Sequence, residues 1–228
     1  MNLWFEHAPR KSSVWEVACY DVAEFHYLHC MPDTRTSFEV FLPILNGEQV
    51  GVLAFGRPEA TRCRDWYGSV EDAKAKRCEV TRWQVLNLAR VLIYPEWQRG
   101  GKYCDAKHVP GFHDRAGVWH SALASKILNA AASHVGFDYL CQRPPCFLDE
   151  PYELRWLLSY CNTSLHKGTI YRAAGWELYS TNAKGIQTWR KLLPRLKASE
   201  RRQVMTIAEA HPRSRQYRAQ RGQLQLGL

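Results

Sequence analysis

Two apolar runs, "SFEVFLPIL" at 37–45 and "QVGVLAFG" at 49–56, are separated by little more than Asn46-Gly47. Asn-Gly is the pair that most readily takes the positive φ angles of a tight hairpin turn, so the two runs are expected to pair antiparallel. An isolated hairpin is marginal in water, and the chain must add strands and a covering layer. Leu88–Ile93 and Arg155–Tyr160 read as buried strands, and "WELYSTN" and "TWRKLLP" as two more. Val14–Tyr20, "VWEVACY", alternates as a first strand, with a short helix following in "DVAEFHYLHC". "HSALASKILNAAASHVG" at 120–136 has alanine-rich helix propensity and a glycine at its end. The order strand, helix, hairpin, strand, helix, strand, short helix, strands predicts an α/β fold, a mixed central sheet with flanking helices.

The segment "LHKGTIYRAAGW" at 165–176 directly follows the strand within "RWLLSYCNTS". Lys167–Ala174 can form about two helical turns, Gly175 can end them in the left-handed conformation, and Trp176 can open the next strand. Tyr171 then lies on a short helix beside the end of a buried strand, either as a packing residue with a satisfied hydroxyl or as a phenol serving a site. The unit running from Leu88 through a glycine-bearing loop to the helix at Ser121 has the layout of a phosphate cradle, because a helix N-terminus offers unpaired amides and the positive end of its dipole. Ser121 also suits a plain capping role. The long loop from Tyr94 to Trp119 leaves two cradles open: Arg99 with Gly100 and Gly101, or Gly117 with His120 and Ser121. Neither a Walker motif nor G-x-G-x-x-G is present.

With 228 residues and 46% hydrophobic content the chain can build one substantial core. Its apolar runs are too short to cross a membrane, and "MNLWFEHAPRK" lacks a signal-peptide core, which predicts a cytoplasmic protein with no membrane partner. The eight cysteines are then expected as thiols, and neither "HYLHC" nor "CQRPPC" has paired C-x-x-C spacing, so no metal is expected. The +9 net charge is concentrated at the C-terminal end, where ten Lys or Arg from Arg190 onward face only Glu200 and Glu209. This divides the chain into a near-neutral domain at 1–194 and a basic extension at 195–228. Such an extension is the footprint of a polyanion contact, with Arg201, Arg202, Arg213, Arg215 and Arg218 neutralising phosphates of double-stranded DNA, or else a solvated tail.

Taken together, these segments resemble the GNAT N-acetyltransferase fold. "TIYRAAGW" is similar to the end of that fold's final motif, and "VLIYPEWQRGG" to its strand and pyrophosphate loop. "FHY" at 25–27, "VGVLAFGRP" at 50–58, "LAR" at 88–90 and above all "LLSYCNTSLHKGTIYRAAGW" at 157–176 resemble the Mom-like branch of phage Mu type. The resemblance implies acetyl-CoA or a related acyl-CoA between the two buried strands, with Leu92, Ile93, Arg99, Gly101, Gly117, His120 and Ser121 around it. Tyr171 would protonate the leaving thiolate. His26, Tyr27 and His166 would polarise the acceptor amine and take its proton, and Arg90 would support the strand end or a phosphate. Asn162 stands where relatives carry an acid and would orient by hydrogen bonds alone. The implied acceptor is the 6-amino group of DNA adenine, which receives a carbamoylmethyl-type group that shields phage DNA from restriction. The base must be flipped out of the duplex, with Trp66, Tyr67, Trp97, Phe112 and Trp119 in predicted loops as candidates to stack on it. Two other readings compete: an ordinary acetyl-CoA-dependent acetyltransferase of a small amine or protein, and a non-catalytic DNA-binding module held by metal.

Overall fold

The computed structural model describes residues 2–26, 28, 30, 38–58, 66–142 and 153–211. Seven strands form the main sheet: β1 (Leu3–Ala8), β2 (Phe38–Leu45), β3 (Gly51–Gly56), β4 (Val85–Ile93), β5 (Trp156–Asn162), β6 (Glu177–Thr181) and β7 (Ile186–Leu192). They lie in the order β1-β2-β3-β4-β5-β7-β6, and the two-residue strand Glu48–Gln49 adds to β2. All neighbours pair antiparallel except β4 and β5, which run parallel. The fold is therefore mixed α/β, as the sequence predicts, with the Asn46-Gly47 hairpin in place: Asn46 has φ 52° and Gly47 φ 96°.

Side-chain alternation gives the sheet two different faces. Phe41, Leu53, Phe55, Leu86 and Leu88 pack under α2 (Leu123–Gln142) in the main core, which also holds Tyr171 of the short helix α3 (Thr169–Ala173). Val40, Leu42, Val52, Ala54 and Leu92 pack on the opposite side with Ala18 and Val22 of α1 (Ser13–Phe25). The last helix, α4 (Ala198–Ala210), lies against α2 and places Val204 in the main core, so the folded body continues past residue 194 into the basic extension.

Several sequence expectations are corrected. Val14–Tyr20 is helix, not strand: Ser12 accepts the Trp15 amide at 3.1 Å, Ala18 and Val22 are buried four residues apart, and Val14, Val17 and Tyr20 face water. The true first strand, β1, was not expected. Gly136 does not end α2, which runs on to Gln142 because Val135, Tyr139 and Leu140 are buried around it. That burial outweighs the ~1 kcal/mol cost of a helical glycine. The loop after β4 contains a small hairpin, Gly111–His113 with Trp119–Ser121. Trp66 and Tyr67 are not loop aromatics open to a base; both are fully buried and form a satellite core with Val85 and Leu158. The Arg190 guanidinium seals that core, 5.3, 4.8 and 4.6 Å from the ring centroids of Trp66, Trp156 and Tyr179.

Ser12→Ala removes the cap of α1 and should lower stability by about 1 kcal/mol, read as a lower denaturant midpoint at unchanged m value.

Candidate functional site

The parallel ladder between β4 and β5 is short. Val85, Leu86 and Asn87 pair with Trp156, Leu157 and Leu158, and there the pairing stops. β4 then carries a bulge: Phe55 faces Leu88 but Ala54 faces Arg90, leaving Ala89 as the extra residue that bends the strand away. At the point of divergence Ser159 Oγ donates to the Leu88 carbonyl at 2.9 Å, where the next backbone rung would fall. The Tyr171 hydroxyl lies 2.9 Å from the same Oγ. A serine hydroxyl has one proton, already given to Leu88, so the phenol donates to Ser159.

Aromatic packing holds Tyr171 in that position. Its ring stacks on Trp189 at 5.7 Å and 18° and meets Trp176 edge-on at 5.4 Å. Gly168, with φ 66°, admits the chain to α3 against the same indole; a Cβ there would lie 2.6 Å from Trp189 Cζ2. Burial pushes the nearby Cys161 thiol above its ordinary value, and its Sγ–H donates to the His166 carbonyl.

Around the divergence opens a cavity of about 520 Å³ lined by residues from both faces of the sheet. Leu88, Val91, Ile93, Ser159, Cys161, Tyr171, Leu123 and Ala124 line it on the α2 side; Phe25, His26, Leu92 and Tyr160 line it on the α1 side. Phe25 and Tyr160 remain substantially exposed there. The polar lining includes Arg99, Lys167, His26, His120 and His166, and no Asp or Glu among the described residues.

The α2 end can take an anion. Ser121 Oγ accepts the Leu123 amide at 3.2 Å, as a capping serine does, whereas the amides of Ala124 and Ser125 meet no acceptor among the described residues. The Trp119 indole N–H is buried without a hydrogen-bond partner among the described residues. These donors, with Arg99 and Lys167, fit a phosphate-bearing guest.

The structure brings most of the sequence-derived candidates to this cavity and leaves some elsewhere. Tyr171, His26, His166, Leu92, Ile93, Arg99, His120 and Ser121 line it. His26 is 5% exposed at the end of α1, and its Nδ1 accepts the Leu28 amide at 3.2 Å, so the neutral ring carries its proton on Nε2. Asn162 closes a turn, with Oδ1 accepting the Ser164 amide and hydroxyl at 3.1 and 2.8 Å, and does not line the cavity. Neither does Arg90, whose Nη1 donates to the Ala89 carbonyl.

Neither candidate glycine touches the cavity. Gly117 sits in the hairpin turn clamped by Asp114, whose carboxyl is held below its usual range by the His120 ring; Gly101 folds back on the Pro95 and Glu96 carbonyls. Arg201 pairs with Glu153 and Arg202 is exposed on α4, while Tyr27, Arg213, Arg215 and Arg218 lie outside the described residues. Among the proposed stacking aromatics, Trp97, which is buried, and Trp119 both line the cavity, and Phe112 is exposed. Sequence reasoning missed Ser159, Phe25, Tyr160 and Lys167. The one available signal for Ser159 was a hydroxyl inside an otherwise apolar buried strand, which needs a partner.

No protein-family description and no curated protein matches the chain. Among solved structures, it is similar to a protein described as an acetyltransferase of the GNAT family from Desulfovibrio desulfuricans, at 10% identity and TM-score 0.39, over 85% of this chain and 100% of that one. It is also similar to a Bacillus subtilis acetyltransferase in complex with CoA, at 12% identity and TM-score 0.37, over 86% and 100%. Likeness of this degree assigns no function.

Gly168→Ala forces a positive φ on alanine and drives its Cβ into Trp189. It should cost on the order of 2 kcal/mol and loosen the Tyr171 stack, read as a lower melting temperature and a changed near-ultraviolet circular dichroism spectrum.

Proposed function

We propose that this chain is an acyl-CoA-dependent N-acyltransferase and that its acceptor is a neutral aromatic amine, the 6-amino group of adenine in DNA. The observation that carries the transferase reading is a cavity where the sheet parts, with anion donors at one end and a buried phenol at its apex. When bound, acyl-CoA supplies an acyl group activated as a thioester. The Ala124 and Ser125 amides, the Trp119 indole, Arg99 and Lys167 receive phosphates at the α2 mouth. Tyr171 offers its proton to the leaving sulfur, and burial on Trp189 and Trp176 keeps water from the hydroxyl.

The choice of acceptor follows from charge. An aliphatic amine arrives as an ammonium ion and is best received by a carboxylate that attracts it and takes its proton. Among the described residues, the cavity lining presents Arg99, Lys167 and three imidazoles and no carboxylate of its own, although one of those rings, His120, pairs with Asp114 at 2.8 Å behind it. An exocyclic amine on a nucleobase is already neutral, is planar enough to lie against Phe25 or Tyr160 at the α1 mouth, and belongs to a polyanion that the basic extension attracts. His26, with its proton on Nε2, meets such a base as a hydrogen-bond donor.

Titration with acetyl-CoA should give saturable heat, and DNA from cells making the protein should carry a heavier adenosine in nucleoside mass spectra. Tyr171→Phe should keep the heat and lose product by about 10²-fold or more. Absence of heat would remove the donor, whereas modified lysine or polyamine beside unmodified adenine would replace the acceptor. A chain ending at His211 keeps Val204 and should fold, yet bind DNA more weakly and with a shallower salt dependence; an unchanged slope would make the remaining extension a bystander.

A further inference from the structure

Ser159 occupies a position that packing alone does not explain. It is 2% exposed, lies one residue past the last rung between β4 and β5, and bonds two groups at once: it donates to the Leu88 carbonyl and accepts from the Tyr171 phenol, each at 2.9 Å. The three groups form a chain in which every proton points one way, from Tyr171 to Ser159 to Leu88. Reversing one link changes the state of the phenol. If Ser159 rotates its proton away from Leu88, the same Oγ becomes a donor to Tyr171.

We propose that Ser159 is the positioning residue for Tyr171, holding the phenol at the point where the strands part and turning its own proton toward the phenolate once Tyr171 has given its proton up. This rests on the acyltransferase reading above. In the step, the acyl carbon bonds the amine nitrogen as its thioester C–S bond breaks, the Tyr171 O–H bond breaks and an S–H bond forms on the leaving sulfur. The phenolate accepts the Ser159 hydroxyl, and the proton shed by the acylated amine restores the phenol, so that the cycle is neutral and requires no co-reactant. A hydrogen bond to the charged form favours that form, which makes Tyr171 a better acid than a phenol surrounded by rings alone. Leu88 loses one hydrogen bond only while the phenolate exists.

Among the described residues, the titratable groups that share this environment are these. Cys161 lies on the same strand; His166 and Lys167 precede α3; Arg172 follows Tyr171 on α3; His120, Arg99 and His26 lie around the cavity. Lys191 of β7 is tied to the Ala174 carbonyl at 2.9 Å, at the far end of α3. Trp176 and Trp189 supply no titrating group.

The test compares Ser159→Ala with Ser159→Thr, which restores a hydroxyl on the same carbon. The Tyr171 Cζ carbon, labelled with ¹³C and assigned by its loss in Tyr171→Phe, reports the phenol directly in protein without any acyl donor. We expect its titration midpoint to rise by about one pH unit in Ser159→Ala and to return in Ser159→Thr. With acyl-CoA present, kcat should fall about tenfold in Ser159→Ala with KM for the donor unchanged, and the alkaline limb of the kcat profile should move to higher pH. An unchanged midpoint and limb in Ser159→Ala would overturn the proposal, because a merely structural serine would alter melting temperature and leave the phenol alone. Should the alanine variant fail to fold, Ser159→Cys takes its place, and the weaker thiol donor should still raise the midpoint. Calorimetric binding of acetyl-CoA by Ser159→Ala separates this outcome from failure of the acyltransferase reading, since the donor should bind the variant as it binds the natural chain.

Discussion

The site depends on where one ladder of hydrogen bonds ends. Five of the six neighbour pairings along this sheet are antiparallel, but the contact between β4 and β5 is parallel and lasts for three residue pairs. Both causes of its ending are local. The extra residue at Ala89 turns β4, and Ser159 satisfies the Leu88 carbonyl with a side chain so that no further backbone rung is required. A buried carbonyl left unpaired at this point would cost about 1–3 kcal/mol. The serine therefore lets the strands separate without that cost, and the separation opens the cavity.

The bulge has a second effect on what lines the cavity. Leu86 and Leu88 point toward α2; after Ala89 the parity shifts, so that Val91 and Ile93 point there and Leu92 turns toward α1. Side chains from both faces thus reach one cavity. Phe25 and Tyr160 line the cavity from the α1 side, and Tyr171 lines it from the α2 side.

How much of this could be read from the sequence follows the range of the forces involved. The Asn46-Gly47 hairpin, the two buried strands and the strand–helix–glycine–strand run around Tyr171 are fixed by local chemistry, and all are present. Val14–Tyr20 was misjudged because its apparent alternation mixes buried and exposed apolar residues, and the deciding signal, Ser12 as cap, lies just before the run. The satellite core of Trp66 and Tyr67 was invisible because it is made by Arg190, more than a hundred residues away. The cradle was expected either at Arg99, Gly100 and Gly101 or at the helix end beside Gly117 and Ser121; none of the three glycines lines the cavity, and the donors without a partner among the described residues are those of Trp119, Ala124 and Ser125. Long-range packing, not spacing, decides which amides remain open.

His26 shows how the structure constrains chemistry further than residue type does. An imidazole in a cavity suggests a base, because it titrates near neutrality. The Leu28 amide can only donate, so Nδ1 is an acceptor and the neutral ring has its proton on Nε2. Taking a proton would make the ring a cation within a cavity that already holds Arg99 and Lys167 and no carboxylate among the described residues. Each step that adds positive charge there works against the next. A neutral amine and a phenol that exchange one proton between them avoid that accumulation, whereas an ammonium substrate with a histidine base would add to it. A further positive charge placed beside Arg99 and Lys167 would be repelled by both.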